Sequence, residues 1–343
     1  MSNPVVILGI ESSCDDTGAS ILKEGKIQAN IVANQDVHKD YGGVVPELAS
    51  RAHQQNIVPV VHEALKKAHV DKSEITAVAF TRGPGLLGSL LVGTSFAKSF
   101  ALGLDIPLLE INHMHAHIIA HFIDLAGEET PKPKFPFLCL TVSGGHTEIV
   151  LVEDHLKMKV IGRTNDDAAG EAFDKAAKTI GLDYPGGPLI DQLAKDGDPL
   201  AYKFPHPKAP GYDYSFSGLK TAFLYFIRDR IKSDPNFVKD NIADICASIQ
   251  YTIVKVLLKK LVQASMDLGI REIAISGGVA ANSKLREELL LLKKSENWSV
   301  YIPKFEFCTD NAAMIAMAGY YKYINGSFAP QTISASARYS YED

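Results

Sequence analysis

Short apolar runs that end at small or acidic turns recur along this chain, and they recur in a fixed order. Residues 5–10 (VVILGI) read as a buried strand, followed by the polar turn ESSCDDTG and a second strand, ASIL. A further strand, AVAFTR at 77–82, leads into GPGLLG. The segment from about Leu86 to Leu102 then has the apolar density and length of a buried helix, which Gly103 is expected to stop. IPLLEI follows as another strand.

The same order returns further on. FLCLTV, the turn SGGHT and EIVLV predict a hairpin over 137–152. REIAIS, the turn GGVAANS and the helical KLREELLLLKK at 271–294 match the earlier strand, glycine turn and helix. Between them lies a long amphipathic helix, roughly Asn241 to Leu268, with Gly269 as its C-terminal stop. A strand-turn-strand and a strand-turn-helix, each present twice, predict a duplicated α/β lobe. Two such lobes would face each other across a nucleotide cleft with four small-residue turns at its mouth. The linking EETPKPKFP at 128–136 reads as a surface loop, and the aromatic stretch at 204–222 as an irregular segment that covers the cleft.

Composition narrows the class. A chain of 343 residues suggests two lobes, and 46% hydrophobic with 22% charged residues fits an ordinary globular protein. The net charge of -5 gives no basic face for nucleic acid, so an RNA partner would need a local patch or a second protein. Cys14, Cys139, Cys246 and Cys308 are too scattered for a zinc finger or a disulfide framework. No apolar run reads as long enough to span a bilayer and no leader precedes the first strand, so a cytoplasmic setting is expected.

Chemistry concentrates at the turns. Glycine after a strand lets backbone N–H groups approach phosphate oxygens, and a following helix adds a positive dipole end. Four turns qualify: Ser12–Gly18, Gly83–Gly88, Ser143–Gly145 and Gly277–Asn282. Of these, GPGLLG is also a literal G-x-G-x-x-G, with Glu110 about where a ribose-binding acid belongs, so a dinucleotide-binding oxidoreductase is one alternative. In HMHAHIIAHF, His113, His117 and His121 fall on one helical face, a spacing that grips a divalent metal. Met114 stands where an H-E-x-x-H protease has its glutamate, which weighs against a metalloprotease. A third ligand should be an acid from elsewhere, and Asp310 in FCTDNAAMIA stands out as the N-cap of a late helix. Asp15, Asp16, Asp174 and Asp191 are acids on or near turns, suited to ribose hydroxyls or to proton transfer. A non-catalytic nucleotide-binding regulator is the remaining alternative.

The strings LGIESSCDDTG, GGVVPELASRAH, TRGPGLLGSLLVG, NHMHAH, TVSGGHTEIV, DDAAGEAFDKAAKTIGLDYPGGP, YSFSGLKTA, SGGVAANS and FCTDNAAMIA run from residue 8 to about 316. Together they resemble the tRNA N6-adenosine threonylcarbamoyltransferase family, the TsaD type, formerly called O-sialoglycoprotein endopeptidase. The resemblance implies the duplicated, two-lobed actin-like α/β fold. It places an N-terminal lobe at 1–111, with 314–343 packing back onto it, and a C-terminal lobe at 112–313 carrying the metal site.

It also implies roles. His113, His117 and Asp310 would ligate one divalent metal, Fe(II) by family usage with Zn(II) as the alternative. Thr141, Val142, Ser143, Gly144 and Gly145 would contact the substrate; Asp174, Gly187, Asp191 and Asn282 would line the nucleotide pocket. Asp15 and Asp16 match the family's acidic pair as catalytic residues. The usual pair is Asp-Glu, so Asp16 is one methylene shorter, and Thr141 stands where some relatives have a ligating Tyr. The implied reaction passes threonylcarbamoyl from its adenylate to adenosine N6 beside the tRNA anticodon, releasing AMP. A catalytically inactive paralogue and a small ATPase are the implied protein partners, and Lys203 and Lys208 are candidate tRNA contacts.

Overall fold

The computed structural model describes residues 4–35, 38, 41, 43–125 and 127–341. Gly42, which opens the second of the resembling strings, lies outside them. The chain forms two compact units. Unit 1 comprises residues 1–132, 154–158 and 303–343, and unit 2 comprises 133–153 and 159–302.

Unit 1 is built on a six-stranded sheet in the order β5-β4-β1-β2-β3-β6. Its strands are β1 (Val6–Glu11), β2 (Thr17–Lys23), β3 (Lys26–Ala33), β4 (Ala77–Gly83), β5 (Leu108–Asn112) and β6 (Asp124–Leu125). β1 pairs antiparallel with β2 and parallel with β4, so an antiparallel hairpin is joined to a crossover pair. All six residues of β1 are buried, because helices cover both faces of the sheet. One covering layer is α1 (Pro46–Ala68) with α2 (Leu87–Leu104); the other is α10 (Ala312–Ile324). Small residues allow that second contact to be close. A Cβ at Gly9 would stand 2.7 Å from the Ala312 carbonyl oxygen and 2.8 Å from Ala316 Cβ.

Unit 2 repeats the plan with β11-β10-β7-β8-β9: β7 (Phe137–Val142), β8 (Thr147–Asp154), β9 (Lys157–Arg163), β10 (Glu272–Ser276) and β11 (Ser299–Tyr301). Strand for strand this is the β5-β4-β1-β2-β3 order, with the same antiparallel hairpin (β7/β8) and the same parallel pair (β7/β10). The duplication read from the apolar pattern is therefore present in the strand order. The long helix is α8 (Ile242–Leu268), closed by Gly269 in the left-handed region at φ 67. Around it lie α4 (Ala169–Thr179), α5 (Gly186–Leu193), α6 (Ser217–Ser233) and α9 (Ser283–Ser295), with the single turn α7 (Phe237–Asp240) at its start. Each fully buried aliphatic side chain on such a helix stabilises by roughly 1.5–3 kcal/mol.

Several expectations need correction. α2 runs through Gly103 and stops at Asp105, whose left-handed backbone (φ 54) takes the C-cap. That helix, 18 residues with mean hydropathy 1.3, is also long and apolar enough to cross a membrane by length and composition. Ser89, Leu90, Gly93, Thr94, Ala97 and Ala101 bury its inner face, and it packs on α1 and β4. The irregular segment around 204–222 ends at Phe216, where α6 begins; Tyr214 within it is buried and donates to the Leu257 carbonyl (3.1 Å). The boundary expected at 111/112 is displaced as well. α3 (His113–Ile119) packs on α10, β4 and β5, so the histidines belong to unit 1, and Asp310 joins them there.

Candidate metal centre

β5 passes directly into α3, and Asn112 makes the change of direction. Its Oδ1 accepts from the N–H groups of Met114 (2.9 Å) and His115 (3.2 Å), capping two free donors of the new helix. His113 is thereby the first helical residue, and His117 lies one turn later on the same face. Asp310 arrives from the other end of unit 1, just ahead of α10. The cap of α10 is Asn311, whose Oδ1 accepts from Met314 N–H (3.0 Å), so the expected capping role falls one residue later. Asp310 is left to face the histidines.

The three side chains close a triangle. His113 Nε2 and His117 Nε2 lie 3.2 Å apart, and each is 3.3 Å from Asp310 Oδ1. Ligands about 2.0–2.1 Å from a tetrahedral cation sit ~3.3–3.4 Å from one another, so the edges match a single ion between them. Among the described residues this is a group that could hold a metal. His121 and His115, the other histidines of the run, are not part of it. His115 instead stands against the Tyr341 ring at 4.7 Å between centroids.

Glu11 was missed in the sequence. It is the last residue of β1, fully buried, and its Oε2 lies 3.1 Å from His113 Nδ1 and 2.6 Å from the Thr81 hydroxyl. Its Oε1 accepts from Ser13 N–H at 2.5 Å. The only trace of it in the sequence is a single acid closing the otherwise apolar run VILGIE. Two neutral imidazoles and the carboxylates of Glu11 and Asp310 would balance a divalent cation. The electrostatics agree. Burial opposes charge on His113, yet Glu11 and Asp310 hold its imidazole well above the ordinary value. Burial pushes Asp310 upward, and the two imidazoles overcome it and hold the carboxyl well below the usual range. His117 is lowered by burial, and its Nδ1 has no hydrogen-bond partner among the described residues. A site that draws a proton toward the buried Glu11 and the half-buried Asp310 would draw a divalent cation more strongly.

The turn after Glu11 carries Asp15 and Asp16 and is held from two helices. His53 of α1, fully buried, bonds Thr17 Oγ1 (2.7 Å) and the Cys14 carbonyl (3.0 Å); burial depresses its pKa and keeps the ring neutral. Ser89 Oγ also donates to the Cys14 carbonyl (2.9 Å), and Leu86 N–H donates to the Ser13 carbonyl (2.7 Å). The GPGLLG turn thus braces the acidic turn. Glu110, the supposed ribose acid, is paired with Arg82 (2.7 Å), which with the mixed strand order removes the dinucleotide-binding alternative. Burial, then Asp15, Asp310 and Glu11, push Asp16 up to about 7.

Unit 2 places its expected residues differently from one another. Thr141 and Val142 are buried; the Thr141 hydroxyl lies 3.0 Å from Ser276 Oγ within the sheet. Gly144 and Gly145 are exposed, with no atom within 4 Å of where a Cβ would stand. Ser143 Oγ accepts from His146 N–H (3.1 Å), closing that turn. Asp174 accepts on one oxygen from Gly186 N–H (2.9 Å) and Gly187 N–H (3.3 Å), capping α5. Burial raises its pKa. Asp191 accepts from Ser283 N–H (3.1 Å) and Ser283 Oγ (2.7 Å) at the start of α9. Asn282 caps the same helix through Leu285 N–H (3.0 Å) and donates to Gln250 Oε1 (2.7 Å).

Comparison with known proteins adds to this geometry. The family model described as TsaD, tRNA N6-adenosine threonylcarbamoyltransferase, matches residues 26–317. A protein of that name from Christiangramia forsetii is 61% identical over 335 residues, covering 98% of each chain. Another from Porphyromonas gingivalis is 58% identical over 330 residues, covering 96% of this chain and 97% of the relative. Among solved structures, full-length HypF in its phosphate- and nucleotide-bound form aligns with TM-score 0.59 at 16% identity, covering 93% of this chain and 46% of that one. Component A of Acidaminococcus fermentans (R)-2-hydroxyglutaryl-CoA dehydratase aligns with TM-score 0.52 at 15% identity, covering 93% and 99%. These two likenesses establish the shared fold, actin-like and α/β.

Proposed function

The chain belongs to the TsaD family of tRNA N6-adenosine threonylcarbamoyltransferases, and from that premise we propose how its residues serve the reaction. The donor is threonylcarbamoyl-adenylate, and the acceptor is the N6 amine of the adenosine 3′ of the anticodon in tRNAs reading ANN codons. A bond forms from N6 to the carbamoyl carbon, the anhydride C–O bond breaks, and AMP leaves with that oxygen. The exocyclic amine is a weak nucleophile, so most of the activation must fall on the electrophile.

His113, His117 and Asp310 hold one divalent ion, for which Fe(II) is proposed and Zn(II) also suits the donor set. When bound, the ion supplies Lewis-acid polarisation of an acyl oxygen. Asp16, pushed up to about 7, is matched to take a proton from the amine near neutral pH, with Asp15 beside it in sequence. In unit 2 the exposed backbone N–H groups at Gly144 and Gly145 serve the donor's phosphate, which favours departure of AMP. Asp174, Gly187, Asp191 and Asn282 serve its nucleoside. Both hydrogen bonds of Asp174 fall on one oxygen, which leaves the other for a ribose hydroxyl. Thr141 and Val142 support this turn from within the sheet. A cytoplasmic setting, an inactive paralogue and a small ATPase complete the reading, since the net charge of -5 favours help in holding tRNA.

The observation that carries this proposal is the closure of His113, His117 and Asp310 to 3.2–3.3 Å in a chain of this family. The test is transfer of labelled threonine to unmodified tRNA, with a threonylcarbamoyl-adenylate source and partner proteins supplied. Label on tRNA that is lost in His117→Ala is expected. Equal label with the alanine variant would remove the metal centre from the mechanism.

A further inference from the structure

Glu11 is bound too completely to be a bystander and too far inside to meet substrate. Its two oxygens accept or face three donors: Ser13 N–H on Oε1, and the Thr81 hydroxyl and His113 Nδ1 on Oε2. It is fully buried. With Oε1 accepting from Ser13 N–H and Oε2 from the Thr81 hydroxyl, both oxygens act as acceptors. His113 Nδ1 must therefore carry a proton, and Nε2 is the atom turned toward His117 and Asp310, free to bind a cation once unprotonated.

We propose that Glu11 is a positioning residue for the metal centre, fixing the tautomer and ring plane of His113 and tying that ligand to the turn that bears Asp15 and Asp16. The inference rests on the metal-centre reading above and extends it by one shell. A carboxylate behind a ligating imidazole raises its basicity and holds its orientation. Here the same carboxylate also accepts from Ser13 N–H, so the ligand and the first turn share one anchor. Thr81, donating from the end of β4, keeps that anchor from rotating.

Glu11→Gln separates these contacts by chemistry while keeping the shape. With the amide oxygen toward Ser13 N–H, the NH2 group faces His113 Nδ1 and favours the tautomer protonated on Nε2, which cannot bind a cation there. With the amide reversed, NH2 opposes Ser13 N–H, donor against donor. Either arrangement weakens the site without removing a ligand.

The experiment measures Zn(II) affinity by competition with a chromophoric chelator in the full chain, for the wild type, Glu11→Gln and His117→Ala. Glu11→Gln is expected to bind about 10–100-fold more weakly, the range for loss of such a partner, and His117→Ala more weakly still. Histidine-selective 15N NMR of Zn(II)-loaded wild-type protein gives a second readout that does not depend on a variant folding. It should show His113 protonated at Nδ1 and bound through Nε2. Unchanged affinity in a folded Glu11→Gln protein, or His113 bound through Nδ1, would overturn the inference while leaving the metal centre in place. Equal affinity of wild type and His117→Ala would instead overturn the metal centre, and this inference with it.

Discussion

Units 1 and 2 share five strands in one order, yet the ends of their equivalent strands carry opposite chemistry. β1 ends in Glu11 and runs into a turn with Asp15 and Asp16; its counterpart β7 ends in Val142 and runs into Ser143, Gly144 and Gly145. β5 delivers His113 and His117 on the helix that follows it. Its counterpart β11 is only three residues long and leads to a single 3-10 turn over Phe305–Phe307. One copy concentrates carboxylates and imidazoles, which suit a cation and a migrating proton. The other presents exposed backbone at Gly144 and Gly145, whose N–H groups suit an anion. Duplication supplied two equal frames, and the difference lies in a few turn residues. That division is testable, because a change in one set should leave the other's binding intact.

The largest expected effect is on the acidic turn. Asp16→Asn should lower the transfer rate by about 10²–10⁴-fold, the usual contribution of a general base, without weakening AMP binding. The pH dependence has a definite sign. Asp16 sits at about 7 against an ordinary 3.8, so in the metal-free protein it is protonated below that point and available as a base above it. The rate–pH profile should rise through this limb, and a bound cation should move the limb lower. The Asn variant should lack it. Linkage runs the other way for stability. A raised acid contributes stability that is full below about 3.8 and is lost as pH climbs toward 7, so Asp16→Asn should flatten that decline in a thermal melt series. Loss of AMP binding in this variant, followed by calorimetry, would break the division between the units.

The glycines of unit 2 sharpen it next. Gly277 has φ 85, and a Cβ there would stand 2.4 Å from the Val142 carbonyl oxygen. Gly277→Ala should therefore cost about 1–3 kcal/mol of stability. Gly145→Ala meets open space and should change stability by less than about 0.5 kcal/mol. If its backbone faces the donor's phosphate, affinity for AMP should fall all the same. Equal melting of the two variants, or AMP binding untouched by the second, would count against the assignment. Somewhat smaller than the effect of Gly277→Ala is that of Asn282→Ala, which removes the α9 cap and leaves Gln250 without that partner. A loss of about 1–2 kcal/mol in denaturant unfolding is expected, with Zn(II) affinity unchanged.

Local patterns made much of this readable in advance. Apolar runs bounded by glycine turns placed both hairpins, and the left-handed Gly269 closes α8 at the expected residue. The i, i+4 pair of histidines was visible because helical spacing alone puts them on one face. Errors came where two residues compete for one local role. Asp105 rather than Gly103 ends α2, and Asn311 rather than Asp310 caps α10. Glu11 was hidden for a different reason. It closes an otherwise apolar strand, and its partner His113 lies 102 positions away, a contact that no periodicity reports. The unit boundary failed likewise, because α3 follows β5 so closely that tertiary packing on α10 decides its allegiance.

The late arrival of Asp310 has a consequence for how the protein is made. Synthesis proceeds from the N-terminus, and domains tend to fold as units while the chain emerges. Unit 2, residues 133–153 and 159–302, lies wholly ahead of Asp310, whereas unit 1 is completed only by residues from 303 onward. A nascent chain short of that point holds His113 and His117 without their carboxylate and lacks α10, whose alanine-rich face covers the first sheet. On the proposed metal reading, competence for the ion would be among the later properties the growing polypeptide acquires, and a chain stalled before α10 should be unable to retain it.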